Sequence, residues 1–142
     1  MLGLPIRSML EPRKLVAGPR TTVASAAALM RQERVGAVLV VEDDRLVGIF
    51  TERDAVYRVL ALNRDPSLTW LSDVMTPDPK TVDPDESFGY ALVLMHENGF
   101  RHVPVVEHGC PIGVVSARHA LDPELEEFTA ETERRRAIRR RA

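Results

Sequence analysis

Apolar positions along the chain follow two spacings that alternate. At Val23, Ala26, Ala27 and Met30 they return every three or four residues, one stripe of an amphipathic helix, and Phe88, Ala91, Leu92 and Met95 repeat the stripe. After each stripe comes an unbroken apolar run, Ala37-Val38-Leu39-Val40-Val41 and Val103-Pro104-Val105-Val106, whose length and β-branched content predict buried strands. Asp43-Asp44 and His108-Gly109 then break the pattern as tight turns. A second strand follows in each case, Leu46-Val47-Gly48-Ile49-Phe50 and Ile112-Gly113-Val114-Val115, and runs straight into a helix beginning at Thr51 or Ser116. Thr21-Thr22 and Asp85-Glu86-Ser87 supply N-cap residues for the first helices, and short β elements near Val16 and Val82 open each set. The order β-α-β-β-α occurs twice, which predicts an α/β (α+β) domain.

The two sets are one unit used twice. Residues 23–56 recur without a gap as residues 88–121, 65 positions later, with ten identical pairs that include Met30/Met95, Gly48/Gly113 and Arg53/Arg118. Upstream, Ser8-Met9 to Val16 matches Val74-Met75 to Val82 at a spacing of 66, which implies one residue lost before the second helix. The chain divides into residues 6–62, a linker at 63–69, residues 70–121 and a charged tail at 122–142. Each half is small for an independent core, so the two are expected to share one, related by pseudo-two-fold symmetry with a ligand groove between them.

Charge and composition narrow the function classes. A net charge of -2 disfavours nonspecific nucleic-acid binding. Cys110 is the only cysteine, so no internal disulfide forms. No apolar stretch is long enough to span a bilayer, and residues 1–9 lack the basic start and apolar run of a signal peptide, so a cytoplasmic protein without membrane insertion is expected. The four histidines and Cys110 lack zinc spacing beyond His108-x-Cys110, which sits in a turn, and no metal is expected. The tail carries acids over residues 122–133 and arginines over residues 134–141, the order that suits a helix macrodipole. Leu125, Phe128 and Ile138 are candidates there for packing on a second subunit.

The duplicated unit resembles the cystathionine-β-synthase (CBS) domain, two copies of which form a Bateman module. Val74-Met75-Thr76, Thr81-Val82-Asp83-Pro84 and Phe100-Arg101-His102-Val103-Pro104-Val105-Val106 carry the resemblance, and Gly48, Thr51 and Asp54 set its G-x-x-[ST]-x-x-[DN] motif. It covers roughly residues 6–121. The resemblance implies a non-catalytic regulatory module that binds an adenosine-containing ligand, namely AMP, ADP, ATP, an NAD-type nucleotide or S-adenosylmethionine, with no obligatory cofactor. Signal transduction or energy sensing, a homodimer and an unidentified regulated protein come with it. The helical surface of Ala26, Met30, Ala91 and Met95 is the candidate dimer face, or else intramolecular core.

The main site is placed at Thr51 and Asp54. There a strand ends and a helix begins, so free N–H groups favour a phosphate and the carboxylate can accept ribose hydroxyls. The same pair is also a capping-box pattern, and the two roles are compatible. Carried over from the family, the opposite wall comprises Thr81, Val82, Phe100, Arg101, His102 and Pro104: Val82, Phe100 and Pro104 for a base, Arg101 or His102 for phosphates. Phe100 and Pro104 can instead be core, and His102 an exposed strand residue. The pseudo-symmetric site, at Val16, Ala37, Ser116 and His119, has histidine in place of the carboxylate, and is expected to be weak, empty or altered. Alternative readings are a ligand-free dimerisation scaffold and a nucleic-acid regulator acting through the Arg-rich tail.

Overall fold

The protein is described by a computed structural model covering residues 2–11, 13–120 and 122–141; for residues 122–130 and 141 only the backbone is described. Among the described residues, six strands and five helices follow one another as β1 (Val16–Ala17), α1 (Val23–Glu33), β2 (Ala37–Glu42), β3 (Arg45–Thr51), α2 (Glu52–Asp54), α3 (Leu71–Val74), β4 (Thr76–Pro77), α4 (Phe88–Asn98), β5 (His102–Glu107), β6 (Cys110–Ser116) and α5 (Asp122–Arg141). Helix α2 continues as a wide π-helix over Ala55–Leu60, and 3-10 turns lie at Ile6–Met9 and Ala117–Ala120. Mixed helix and strand, arranged as a tandem repeat, is the class expected.

The predicted caps form. Thr22 and Ser87 accept from the backbone N–H groups of Ser25 and Tyr90, closing the first turns of α1 and α4. Both helices end in the left-handed conformation, at Arg34 (φ 57°) and Gly99 (φ 71°). Strands β2 and β3 pair antiparallel, as do β5 and β6, and each pair has a bulge at the same place, Val40/Val41 and Val105/Val106. Strand β1 lies parallel to β2, but its counterpart at Val82 makes only a single parallel bridge, to Val105.

Alternation across the strands explains the unbroken apolar runs. Val38, Val40 and Phe50 face α1, while Ala37, Leu39 and Ile49 pack with Val114 of the second half. Both faces of the hairpin are therefore dry, and apolar residues are needed at every position. Ala26, Met30, Ala91 and Met95 are buried within the halves, so they are intramolecular core and not a dimer surface.

Each half is completed by the other half's opening segment. Leu71 and Val74 of α3 join the α1 core, and Ile6 joins Phe88, Ala91 and Val103 in the α4 core. Their hydrogen bonds overturn the spacing of 66. The Leu71 and Ile6 amides donate to Thr21 and Glu86, and the Ser72 and Arg7 amides to Pro19 and Pro84, so every partner lies 65 residues from its counterpart. Val82 bridges Val105 as Ala17 pairs with Val40, again at 65. No residue is missing from the second copy. The identities Met9/Met75 and Val16/Val82 are coincidences, because backbone pairing and not side-chain identity sets the register.

Candidate functional site

Thr51 is the last residue of β3 and the cap of α2. Its hydroxyl accepts from the Asp54 amide (3.4 Å), and the Asp54 carboxylate accepts from the Thr51 amide (2.9 Å) and hydroxyl (3.2 Å). All three contacts to Thr51 leave Asp54 Oδ1 free of the cap; that oxygen faces Arg58 Nε at 3.6 Å, one turn along. The capping box is present, and Asp54 retains one carboxylate oxygen toward a cleft.

That cleft has a volume of about 500 Å³ and brings together residues distant in sequence. Thr51 and Asp54 form one side; Phe100, His102 and Pro104 form the other, with Ile49 between the halves. Tyr57, Arg58, Thr76 and Lys80 also line it. The arrangement pairs an apolar wall with a carboxylate and three cations, Arg53, Arg58 and Lys80, the chemistry of a nucleotide's base, ribose and phosphate. Alternation along β5 puts His102 and Pro104 on the cleft side and Val103 in the α4 core. Burial holds the His102 imidazole below the ordinary histidine value; the nearby Glu52 and Glu11 carboxylates act the other way.

Three predicted wall residues lie elsewhere. Val82 is 4% exposed in the α4 core, held by its bridge to β5, and is not a slot for a base. Thr81 lines a shallower depression with Arg45 and Asp78. Arg101 is exposed and lines a second cavity of about 770 Å³, beside Arg53, His96 and Arg118, that shares Phe100 and His102 with the first. Arg101 lies in the bend before β5, and His102 borders both cavities. Sequence reasoning missed Arg53, Tyr57, Arg58, Thr76 and Lys80. Arg53, Tyr57 and Arg58 were findable, within about one turn of Asp54 on the same helical segment; Thr76 and Lys80 arrive through tertiary crossing.

The pseudo-symmetric positions differ. Ala37 is buried in the inter-half cluster, Val16 is a partly exposed residue of β1, and Ser116 and His119 are buried. His119 takes over the carboxylate's capping role, its Nδ1 accepting from the Ser116 amide at 3.2 Å. The Ser116 hydroxyl has no partner among the described residues.

No described helix is long and apolar enough to cross a membrane, and no group of three or more potential metal ligands occurs among the described residues.

A family model described as the CBS domain matches residues 6–61 and again residues 71–124. The chain belongs to the CBS-domain family. The two matches begin 65 residues apart, the register seen in the hydrogen bonds. A Schizosaccharomyces pombe protein, the meiotically up-regulated gene 70 protein, is 37% identical over 134 residues, 92% of this chain but 18% of its own length. The CBS pair thus spans about a fifth of that relative. Among solved structures, an uncharacterized conserved protein from Pyrococcus horikoshii superposes with a TM-score of 0.80 at 26% identity, covering 87% of this chain and 94% of that one. A CBS domain protein from Pyrobaculum aerophilum, solved in complex with AMP, shares the fold with a TM-score of 0.74 at 24% identity over 82% of this chain and 89% of that one.

Proposed function

We propose that this CBS pair is a non-catalytic regulatory module whose first cleft binds an adenosine-containing ligand: AMP, ADP, ATP, an NAD-type nucleotide or S-adenosylmethionine. One observation carries the reading. The Thr51–Asp54 helix start, with Asp54 Oδ1 outside the cap and paired only with Arg58 among the described residues, faces Phe100, His102 and Pro104 of the other half across a cavity of about 500 Å³. In this reading Phe100, Pro104 and Ile49 hold the base, Asp54 Oδ1 accepts ribose hydroxyls, and Arg58 and Lys80 meet phosphate. The Pyrobaculum relative's AMP is consistent with it.

A ligand bridging the halves stabilises one arrangement of them over another, by no more than its differential affinity for the two. The output is altered contact with a regulated protein, whose identity the sequence does not encode. Assembly as a homodimer belongs to the same proposal. The face for it is the exposed apolar row Val56, Tyr57 and Leu60, not the buried helices first named.

Thermal-shift titration with the five ligand types tests the reading. One of them at a hundred times its Kd raises stability by about 2.7 kcal/mol, and the shift disappears in Asp54→Ala. No shift with any of them favours the scaffold reading, for which the completed capping box and the exposed apolar row speak.

A further inference from the structure

The two clefts have diverged at their floor. Met75 crosses Gly48 so closely that a Cβ there would overlap its sulfur, and Leu10 crosses Gly113 less tightly, with 3.2 Å to such a Cβ. The next residues are therefore equivalent: Thr76 pairs with Ile49, and the Glu11 amide donates to Val114 at 2.9 Å. Thr76 lines the open first cleft. In the second, an acid stands in its place.

That acid is held by the groups a ligand would need. The Glu11 side chain is 6% exposed, and its carboxylate accepts from Arg118 Nη2 at 2.8 Å. The same oxygen faces His119 Nε2 at 3.8 Å. Because His119 Nδ1 accepts from Ser116, the ring proton is on Nε2 and points at the acid. Arg53, the first-copy counterpart of Arg118, instead donates to the Gly99 carbonyl and lies over the Tyr57 ring.

We propose that Glu11 is an internal plug in the anion-binding corner of the second cleft, a cavity of about 770 Å³ that it lines with Ser116 and Arg118, so that each chain binds one nucleotide and not two. The carboxylate takes the arginine a phosphate would pair with, and its negative charge repels any phosphorylated ligand that approaches. The buried Ser116 hydroxyl, without a partner among the described residues, is then a polar group of that cleft left unused while Glu11 holds Arg118.

The ligand in this inference rests on the nucleotide reading, but the Glu11 contact does not. Calorimetric titration of the full chain with AMP is expected to give one site per chain, lost in Asp54→Ala and regained in Asp54→Ala/Glu11→Thr, which carries the first copy's residue at the plug. Two sites in the wild-type chain, or no recovery in the double variant, overturns the plug. A second arm needs no nucleotide: carbethoxylation of His119 by diethyl pyrocarbonate, located by mass spectrometry. The rate is expected to rise severalfold in Glu11→Thr, and an unchanged rate overturns the plug. If the wild-type chain binds no AMP, the nucleotide reading falls for AMP while the carbethoxylation rate still decides the plug.

Discussion

The Asp54 carboxylate divides its work between its two oxygens, Oδ2 on the Thr51 amide and hydroxyl and Oδ1 toward Arg58. Removing it in Asp54→Ala is expected to cost about 1 kcal/mol as a lost cap, read by chemical denaturation. Loss of ligand binding on top of that small cost separates recognition from folding; retained affinity would make Asp54 a cap only. His102 provides a second residue-level test. Its pKa in the fold is depressed, so the unfolded chain binds the proton first as pH falls. Stability is full above the ordinary histidine value, falls as pH drops below it, and levels off below the depressed value. Denaturation of wild type and His102→Gln across that window should show a pH slope in the former that shrinks in the latter.

At the scale of elements, α1 and α4 use the same caps but not the same C-terminal residue. Gly99 adopts its left-handed conformation freely, whereas Arg34 carries a Cβ into it. Arg34→Gly is expected to stabilise the protein by up to about 1 kcal/mol, measured as a rise in denaturation midpoint; a fall would show that Arg34 has a partner worth more than its strain. The helices, hairpins and caps were legible in the sequence because each is a local pattern: apolar spacing at Val23 to Met30, runs at Ala37 to Val41, and Thr22 and Ser87 ahead of them. The pairing of Thr51 and Asp54 with Phe100, His102 and Pro104 was legible only through the family resemblance. The positions of Val82, Thr81 and Arg101 were not, because the single bridge at Val82 and the bend before β5 decide which way they face. The opening segments were misaligned by one residue for a similar reason. Their register is set by hydrogen bonds to the Thr21 and Glu86 carbonyls, which no side chain records.

Among the described residues the molecule has two cores, each borrowing one element from the other half, and a buried cluster of Ala37, Leu39, Ile49 and Val114 that joins them. Leu71 and Val74 belong by sequence to the second copy and by packing to the first. Residues 1–62 alone lack them and are expected to remain unfolded by circular dichroism; a cooperative transition in that fragment would show that the crossing is dispensable. On the proposed function, the crossing also gives a ligand its leverage, since the cleft is built from both halves and closing on a nucleotide would tighten their arrangement. On the outer surface, Leu60 is 70% exposed beside Val56 and Tyr57. Leu60→Glu is expected to convert a dimer to a monomer in sedimentation, without changing affinity in the cleft.

Binding of an adenosine-containing ligand between Asp54 and the Phe100–Pro104 wall is the central claim, and calorimetric titration of the wild-type chain beside Asp54→Ala and Pro104→Lys, with each ligand type, tests it most directly. Saturable binding of one ligand in the wild type, lost in both variants while their folds persist, is the result this account predicts. Binding that survives both substitutions would place the ligand elsewhere and contradict it.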